Sequence, residues 1–267
     1  MLYGAVIGDI VGSRFERGYN PKKKNFEFFH YSDRYTDDTV MSMAIYEATR
    51  DIIQSRCNDE TAKNLYIKYM QKWGRLYPDA GYGSSFYNWL YTQNPQPYGS
   101  WGNGSAMRVS AIGYMFSSLE ETEKYAEISA SVTHNHPEGI KGAKAIAGAI
   151  FLARTTHSKK IIKNYIINLG YTLKPSIIVR HTYKFDVSCQ GTIPVAIQAF
   201  LEGKNFEDVI RIAISMGGDS DTIGAISGSI AEAYFGIPEN IKNKCKTYLD
   251  KNILLVLNWG DTYYEIR

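Results

Sequence analysis

A single all-α domain spanning residues 1–267 is the architecture this sequence predicts, on three grounds. Apolar residues recur at helical spacing along much of the chain. Alternating strand patterns are scarce. No internal repeat or low-complexity linker divides it.

The opening stretch, MLYGAVIGDIVGSRFE, is an apolar segment interrupted early by Asp9. It has no basic leader and makes a poor signal peptide. Residues 13–35 mix Gly, Asn, Pro, three lysines and several aromatics, and read as a loop that carries Glu16. Its run Lys22-Lys23-Lys24 reads as a solvated face. Helices follow over 39–54 (Val40, Met43, Ala44, Tyr46, Ala48) and over 60–73 (Ala62, Leu65, Tyr66, Tyr69, Met70, Trp73), with Gly74 as punctuation. A second loop, 92–105, is dense in Gly, Pro, Asn and Ser. Segment 138–154 is small and apolar on several faces, as a buried central helix would be. Segments 191–202 and 222–234 look alike, and the latter is rich enough in Gly, Ala and Ser for close helix approach. Two short runs, 176–180 and 252–258, fit a strand or a helix end equally well.

Bulk properties exclude several classes. A net charge of +3 argues against a general nucleic-acid binder. No apolar run is long enough to span a bilayer. Cys57, Cys189 and Cys245 are scattered and odd in number, which fits neither a zinc site nor a disulfide framework and is compatible with a reducing cytoplasm. No coiled coil or exposed apolar strand is evident, so a monomer is expected.

Two acidic clusters carry the functional signal: Thr36-Asp37-Asp38-Thr39, and Gly217-Gly218-Asp219-Ser220-Asp221-Thr222. Each directly precedes a helical pattern, so either is accounted for by helix capping. The pair is harder to explain that way, because one cap needs only one acid. Converging carboxylates repel unless a cation neutralises them. Carboxylate and threonine oxygens are hard donors suited to Mg²⁺ or Mn²⁺ rather than zinc. Asp9 and Glu16 lie where either could join such a site. Taken alone, Asp9 reads as a buried structural acid and Glu16 as a solvated charge.

The ordered set Gly4-Ala5-x-x-Gly8-Asp9…Glu16, Thr36-Asp37-Asp38-Thr39, Gly102-Asn103-Gly104-Ser105-Ala106-Met107-Arg108, Thr133-His134 and Gly217-Gly218-Asp219-Ser220-Asp221-Thr222 resembles the ADP-ribosylglycohydrolase family. The match runs from residue 4 to about 235 in the family's order. The resemblance implies an orthogonally packed all-α bundle with two Mg²⁺ (or Mn²⁺) ions. Thr36, Asp37 and Asp38 would bind one ion, and Asp219 and Thr222 the other, with Asp221 bridging. The ions would hold the distal ribose of ADP-ribose. Glu16 would sit over them on a lid formed by loop 13–35, and the general base would be Glu16 or a metal-bound aspartate such as Asp37 or Asp38. Gly99, Ser100, Trp101, Gly102 and Asn103 would contact the diphosphate, with His134 near the phosphates or ribose and His136 and Glu138 at a helix start. The implied reaction is hydrolysis of ADP-ribose from a modified protein side chain, arginine N-linked or serine O-linked. A small substrate such as O-acetyl-ADP-ribose, or a non-catalytic ADP-ribose-binding relative, are the alternatives. Residues Ala80–Phe86 lack the extra acid of some arginine-directed members, which favours the O-linked branch.

Overall fold

The computed structural model describes residues 1–20 and 22–265, the last three by backbone alone. Among these, the regular structure is entirely helical: α1 (Tyr3–Glu16), α2 (Asp37–Ser55), α3 (Asp59–Leu76), α4 (Ser84–Tyr91), α5 (Gly104–Met107), α6 (Ser110–Met115), α7 (Leu119–Ser131), α8 (Pro137–Thr156), α9 (Lys159–Asn168), α10 (Ser176–Thr182), α11 (Cys189–Glu202), α12 (Phe206–Ser215), α13 (Ser220–Phe235), α14 (Glu239–Lys246) and α15 (Lys251–Glu265). The only ladder contact among the described residues is a single antiparallel bridge between Gly102 and Ser188. Both ambiguous runs are therefore helical, in α10 and α15. Such short apolar runs carry no periodicity that separates strand from helix.

Helices α1 and α13 share the most extensive packing in the molecule. The cause is a set of glycines at four-residue spacing. A Cβ on Gly8 would lie 2.0 Å from the Gly224 carbonyl oxygen, one on Gly4 2.2 Å from that of Gly228, and one on Gly12 2.5 Å from the Asp221 Cα. The two backbones touch, and only hydrogen fits between them. Both helices are buried along most of their length. This contact sets Asp9 of α1 beside Asp221 of α13.

Helix α8 is buried as its composition implies, and it packs on α7, α6, α5 and α13. His136 caps it, its ring accepting from the Glu138 amide at 3.1 Å. Gly74 does not stop α3, which runs on to Leu76. It instead lets α4 approach: a Cβ there would sit 2.4 Å from a Leu90 methyl.

The 13–35 segment departs from expectation. Its first four residues complete α1, so Glu16 is the last helical residue rather than part of a loop. The remainder is fastened down. Asn20 donates to the Ile214 carbonyl at 2.8 Å, and Lys22 donates to the carbonyls of Arg180 and Tyr183 at 2.9 and 3.0 Å. Lys24 pairs with Asp208, and Arg14 with buried Asp33. Two of the three lysines are thus engaged with the body of the protein. Next to Glu16, residues Arg17, Gly18 and Tyr19 are exposed.

Candidate functional site

The two acidic clusters meet at the floor of a cleft of about 670 Å³. Capping does not explain them. At the start of α2, Asp9 reaches across from α1 and accepts from the Thr36 amide at 2.8 Å, the Thr36 hydroxyl at 2.7 Å, the Thr39 amide at 3.0 Å and the Thr39 hydroxyl, while the Asp37 amide donates to the Ala80 carbonyl at 2.9 Å. Thr36 occupies the cap position, with a long 3.4 Å contact from the Asp38 amide. The carboxylates of Asp37 and Asp38 are left over. Asp219 stands at the cap position of α13 but makes no side-chain cap bond. Its carboxylate accepts from Asn103 Nδ2 at 2.6 Å.

Two sets of three carboxylates bring oxygens within 4.8 Å of one another: Asp9, Asp38 and Asp221, and Glu16, Asp219 and Asp221. Asp221 belongs to both. Asp37 belongs to neither and lies half-buried on the cleft side. Thr222 donates its hydroxyl to Asp38 Oδ2 at 3.1 Å, while Asp38 Oδ1 is buried without a partner. Among the described residues no lysine or arginine pairs with Asp9, Asp37, Asp38, Asp219 or Asp221.

The electrostatic consequence is large. Burial pushes the Asp9 carboxyl up to about 6 despite its four hydrogen bonds. Burial, with the charges of Asp9 and Asp219 beside it, pushes Asp37 up to about 8. Burial and neighbouring carboxylates raise Asp38 and Asp221 well above the ordinary range, and burial raises Asp219. These folded-state carboxyls hold protons that the unfolded chain releases near pH ~4. Their stabilising contribution is complete below that pH and is lost as pH rises through about 6 and then about 8. The metal-free protein should therefore lose melting temperature between pH 6 and 8, at about 2–4 °C per kcal/mol. Added Mg²⁺ should restore it, and by more at pH 8 than at pH 6. Differential scanning fluorimetry across that range checks both; a flat profile without metal would contradict the repulsion.

The loop expected to meet a diphosphate lines the same cleft, through Gly99, Ser100, Trp101, Gly102 and Asn103. Its amides are not all free. Gly99 donates to Asn135 Oδ1 at 2.7 Å, Gly102 to Ser100 Oγ at 3.1 Å and Asn103 to the Val187 carbonyl at 2.7 Å. No intramolecular acceptor serves the amides of Ser100 or Trp101 among the described residues. The Asn103 side chain orients Asp219 and binds Thr192 at 3.0 Å, so its amide nitrogen serves the acidic cluster rather than a ligand. Trp101 is 55% exposed and meets His136 edge-on.

His134 is buried, and its Nε2 faces Gly102 and Gly104. The Thr133 hydroxyl lies 2.7 Å from its Nδ1 and accepts from Arg108 at 2.9 Å. With one lone pair given to Arg108, that hydroxyl can offer its hydrogen to Nδ1, leaving Nε2 as the N–H. Burial, and then the Arg108 charge, hold the imidazole well below its usual pKa, so it is neutral.

Sequence reasoning missed one wall of the cleft. Phe185 and Val187, in the coil between α10 and α11, line it and are more than half exposed. They are held against the 99–103 loop by the Gly102–Ser188 bridge. The one sequence signal was an aromatic stranded in a polar stretch. Arg17 and Arg34 also line the cleft, and Arg17 contacts Glu16 at 3.3 Å.

Comparison with known proteins accords with this architecture. The human ADP-ribosylhydrolase ARH3 (Homo sapiens) is 25% identical, the match covering 95% of this chain and 90% of that one. The ADP-ribosylarginine hydrolase Tri1 of Pseudomonas putida (strain GB-1) is 26% identical, over 88% of this chain and 70% of its own. A solved structure named as an ADP-ribosylglycohydrolase-related protein complex superposes with a TM-score of 0.67 at 21% identity, covering 92% of this chain and 93% of that one; this likeness shows the fold. The family model for ADP-ribosylglycohydrolase matches residues 1–259. Spanning nearly the whole sequence, that match establishes that the chain belongs to the ADP-ribosylglycohydrolase family.

Proposed function

We propose that this chain is a divalent-cation-dependent hydrolase that releases ADP-ribose from a modified acceptor. The observation that carries the reading is the convergence of buried carboxylates with no cationic partner, one of whose oxygens, Asp38 Oδ1, has no partner at all. An unpaired buried charge is too costly to keep without a counter-ion. The donors are all hard oxygens, which suits Mg²⁺ or Mn²⁺.

Thr36, Asp37 and Asp38 would hold one ion, and Asp219 and Thr222 the second, with Asp221 common to both. Cations held by these residues would offset the carboxylate charge and supply Lewis-acid contacts for ribose hydroxyls. The protein's own groups account for the rest. Oxocarbenium-like charge develops at C1″ as the acceptor oxygen departs with the bonding pair, and that oxygen takes up a proton in exchange for the one lost by the attacking water. Glu16, at the end of α1 and close to Asp219 and Asp221, would take a proton from the attacking water. The neutral His134 and the free amides of Ser100 and Trp101 donate to the diphosphate, fixing the ribose over the acids.

The acceptor side of the cleft favours an O-linked substrate. Ala80, Gly81, Gly83, Ser84, Ser85 and Phe86 line it, and none carries a charge to pair with a guanidinium. Asp79 is exposed and outside the lining. An ester such as O-acetyl-ADP-ribose fits the same wall.

A panel of serine-linked, arginine-linked and acetyl-linked ADP-ribose tests the reading. Release from the O-linked substrates should fall to background in chelator and return with Mg²⁺ or Mn²⁺. Asp37→Ala and Asp219→Ala should each lose that release with the circular dichroism spectrum unchanged. Full activity of either variant in chelator would overturn it, and tight ADP-ribose binding without turnover would make the protein a binding module.

A further inference from the structure

We propose that a second cavity, separate from the acidic cleft, docks an acidic segment of the acceptor protein. The cavity has about 640 Å³ of space, within the ~300–1,000 Å³ typical of ligand sites. It lies on the other side of the Tyr183–Val187 coil from the cleft, and Phe185 lines both. The partition is thin. The Tyr183 ring, a wall of the cavity, packs on Gly218 so closely that a Cβ there would lie 2.4 Å from it, and Gly218 adjoins Asp219.

The cavity's charge is the opposite of the cleft's. Lys141, Lys174 and Lys184 line it, each from a different part of the chain, against Glu138 and Asp186. Glu138 is spent on Lys141 at 2.7 Å, and Asp186 accepts from the Ser188 amide at 2.8 Å. Lys174 and Lys184 are exposed and make no ion pair among the described residues. The Tyr171 hydroxyl, in a residue only 5% exposed, also lacks a partner and lies in the lining.

Two unpaired ammonium groups against the single unpaired carboxylate of Asp186 leave the lining net positive, and with an unpartnered phenol and an exposed aromatic lip they call for an anionic occupant with some apolar surface. Free lysines in two separate coils, Lys174 and Lys184, suit carboxylates spread along a chain better than one compact phosphate, for which a bidentate arginine would serve. No arginine lines the cavity. Continuity with the cleft through Phe185 makes the occupant the polypeptide whose ADP-ribose is being removed. The inference rests on the proposed hydrolysis, and its test separates the two.

A synthetic peptide carrying one ADP-ribosyl-serine flanked by glutamates is compared with the same peptide carrying glutamines, and with ADP-ribosyl-serine alone. Lys174→Glu/Lys184→Glu should raise KM for the glutamate peptide by about tenfold, through charge reversal, with kcat unchanged. It should leave the glutamine peptide and the free amino acid unaffected. Calorimetry with the glutamate peptide lacking ADP-ribose should show binding to the wild type and none to the variant. That arm decides the docking site even if no substrate is turned over, a result that would count against the hydrolase reading alone. Equal shifts for all three substrates, no shift for the glutamate peptide, or binding of inorganic triphosphate but not of the peptide would overturn the proposal.

Discussion

Asp221→Asn is expected to abolish ADP-ribose release while making the metal-free protein more stable. Asp221 is the one carboxylate common to both close sets of acids. Removing a single preorganised charge-stabilising group typically costs about 10²–10³ in rate, and a group proposed to serve both cations should cost at least that much. The stability effect runs the other way. Asp221 is buried, and burial together with the charges of Asp38 and Asp219 drives its pKa upward. The amide has the same shape and no charge, so its introduction removes one like-charge term from the cluster. A gain of about 1 kcal/mol in the absence of metal is expected, as when a functional site traded stability for activity. Mg²⁺ should then raise the melting temperature of the wild type but barely that of the variant. An active variant, or one less stable than the wild type without metal, would remove Asp221 from the centre of the site.

Gly8→Ala is expected to damage fold and site together. The new Cβ would fall 2.0 Å from the Gly224 carbonyl oxygen, a backbone atom that cannot rotate away. Helices α1 and α13 would have to part. Overpacking a rigid contact costs up to about 3 kcal/mol, which is about 6–12 °C in melting temperature for a chain of this size. Parting the helices also carries Asp9 away from Asp221 on α13, so Mg²⁺ affinity should fall in the molecules that still fold. Gly260→Ala is the control: its Cβ would meet nothing nearer than 3.4 Å, an ordinary contact, and α15 should tolerate it or gain slightly. Thermal melts with and without Mg²⁺ read both effects. A neutral Gly8→Ala would mean that the close approach does not position the acids.

These two residues mark what was legible in the sequence. The helices were, because apolar residues such as Ala62, Tyr66, Tyr69 and Trp73 repeat at 3.6-residue spacing whatever surrounds them. The two acidic clusters were legible as a question between capping and metal binding. Its geometric answer needed residues remote in sequence: Asp9 accepts from the Thr36 and Thr39 amides and the Ala80 carbonyl from the Asp37 amide, so the carboxylates of Asp37 and Asp38 are not used as caps. Glu16 reads as loop because Ser13, Arg14 and Glu16 interrupt the apolar run, yet the helix continues through them, with Phe15 buried in the core. The chain beyond it reads as a loop by composition, but Asn20 and Lys22 tie it to carbonyls remote in sequence, contacts that leave no periodic trace. The wall at Phe185 and Val187 was illegible for a related reason. Coil residues acquire their role from what lies across from them, here the 99–103 loop.

The central claim is that two hard cations share Asp221 at the floor of the cleft. Electron paramagnetic resonance of the protein titrated with Mn²⁺ tests it most directly. Two equivalents should bind and give the spectrum of an exchange-coupled pair, which Asp221→Asn should reduce to that of isolated ions. A single uncoupled Mn²⁺ at saturation, or no binding at all, would contradict it.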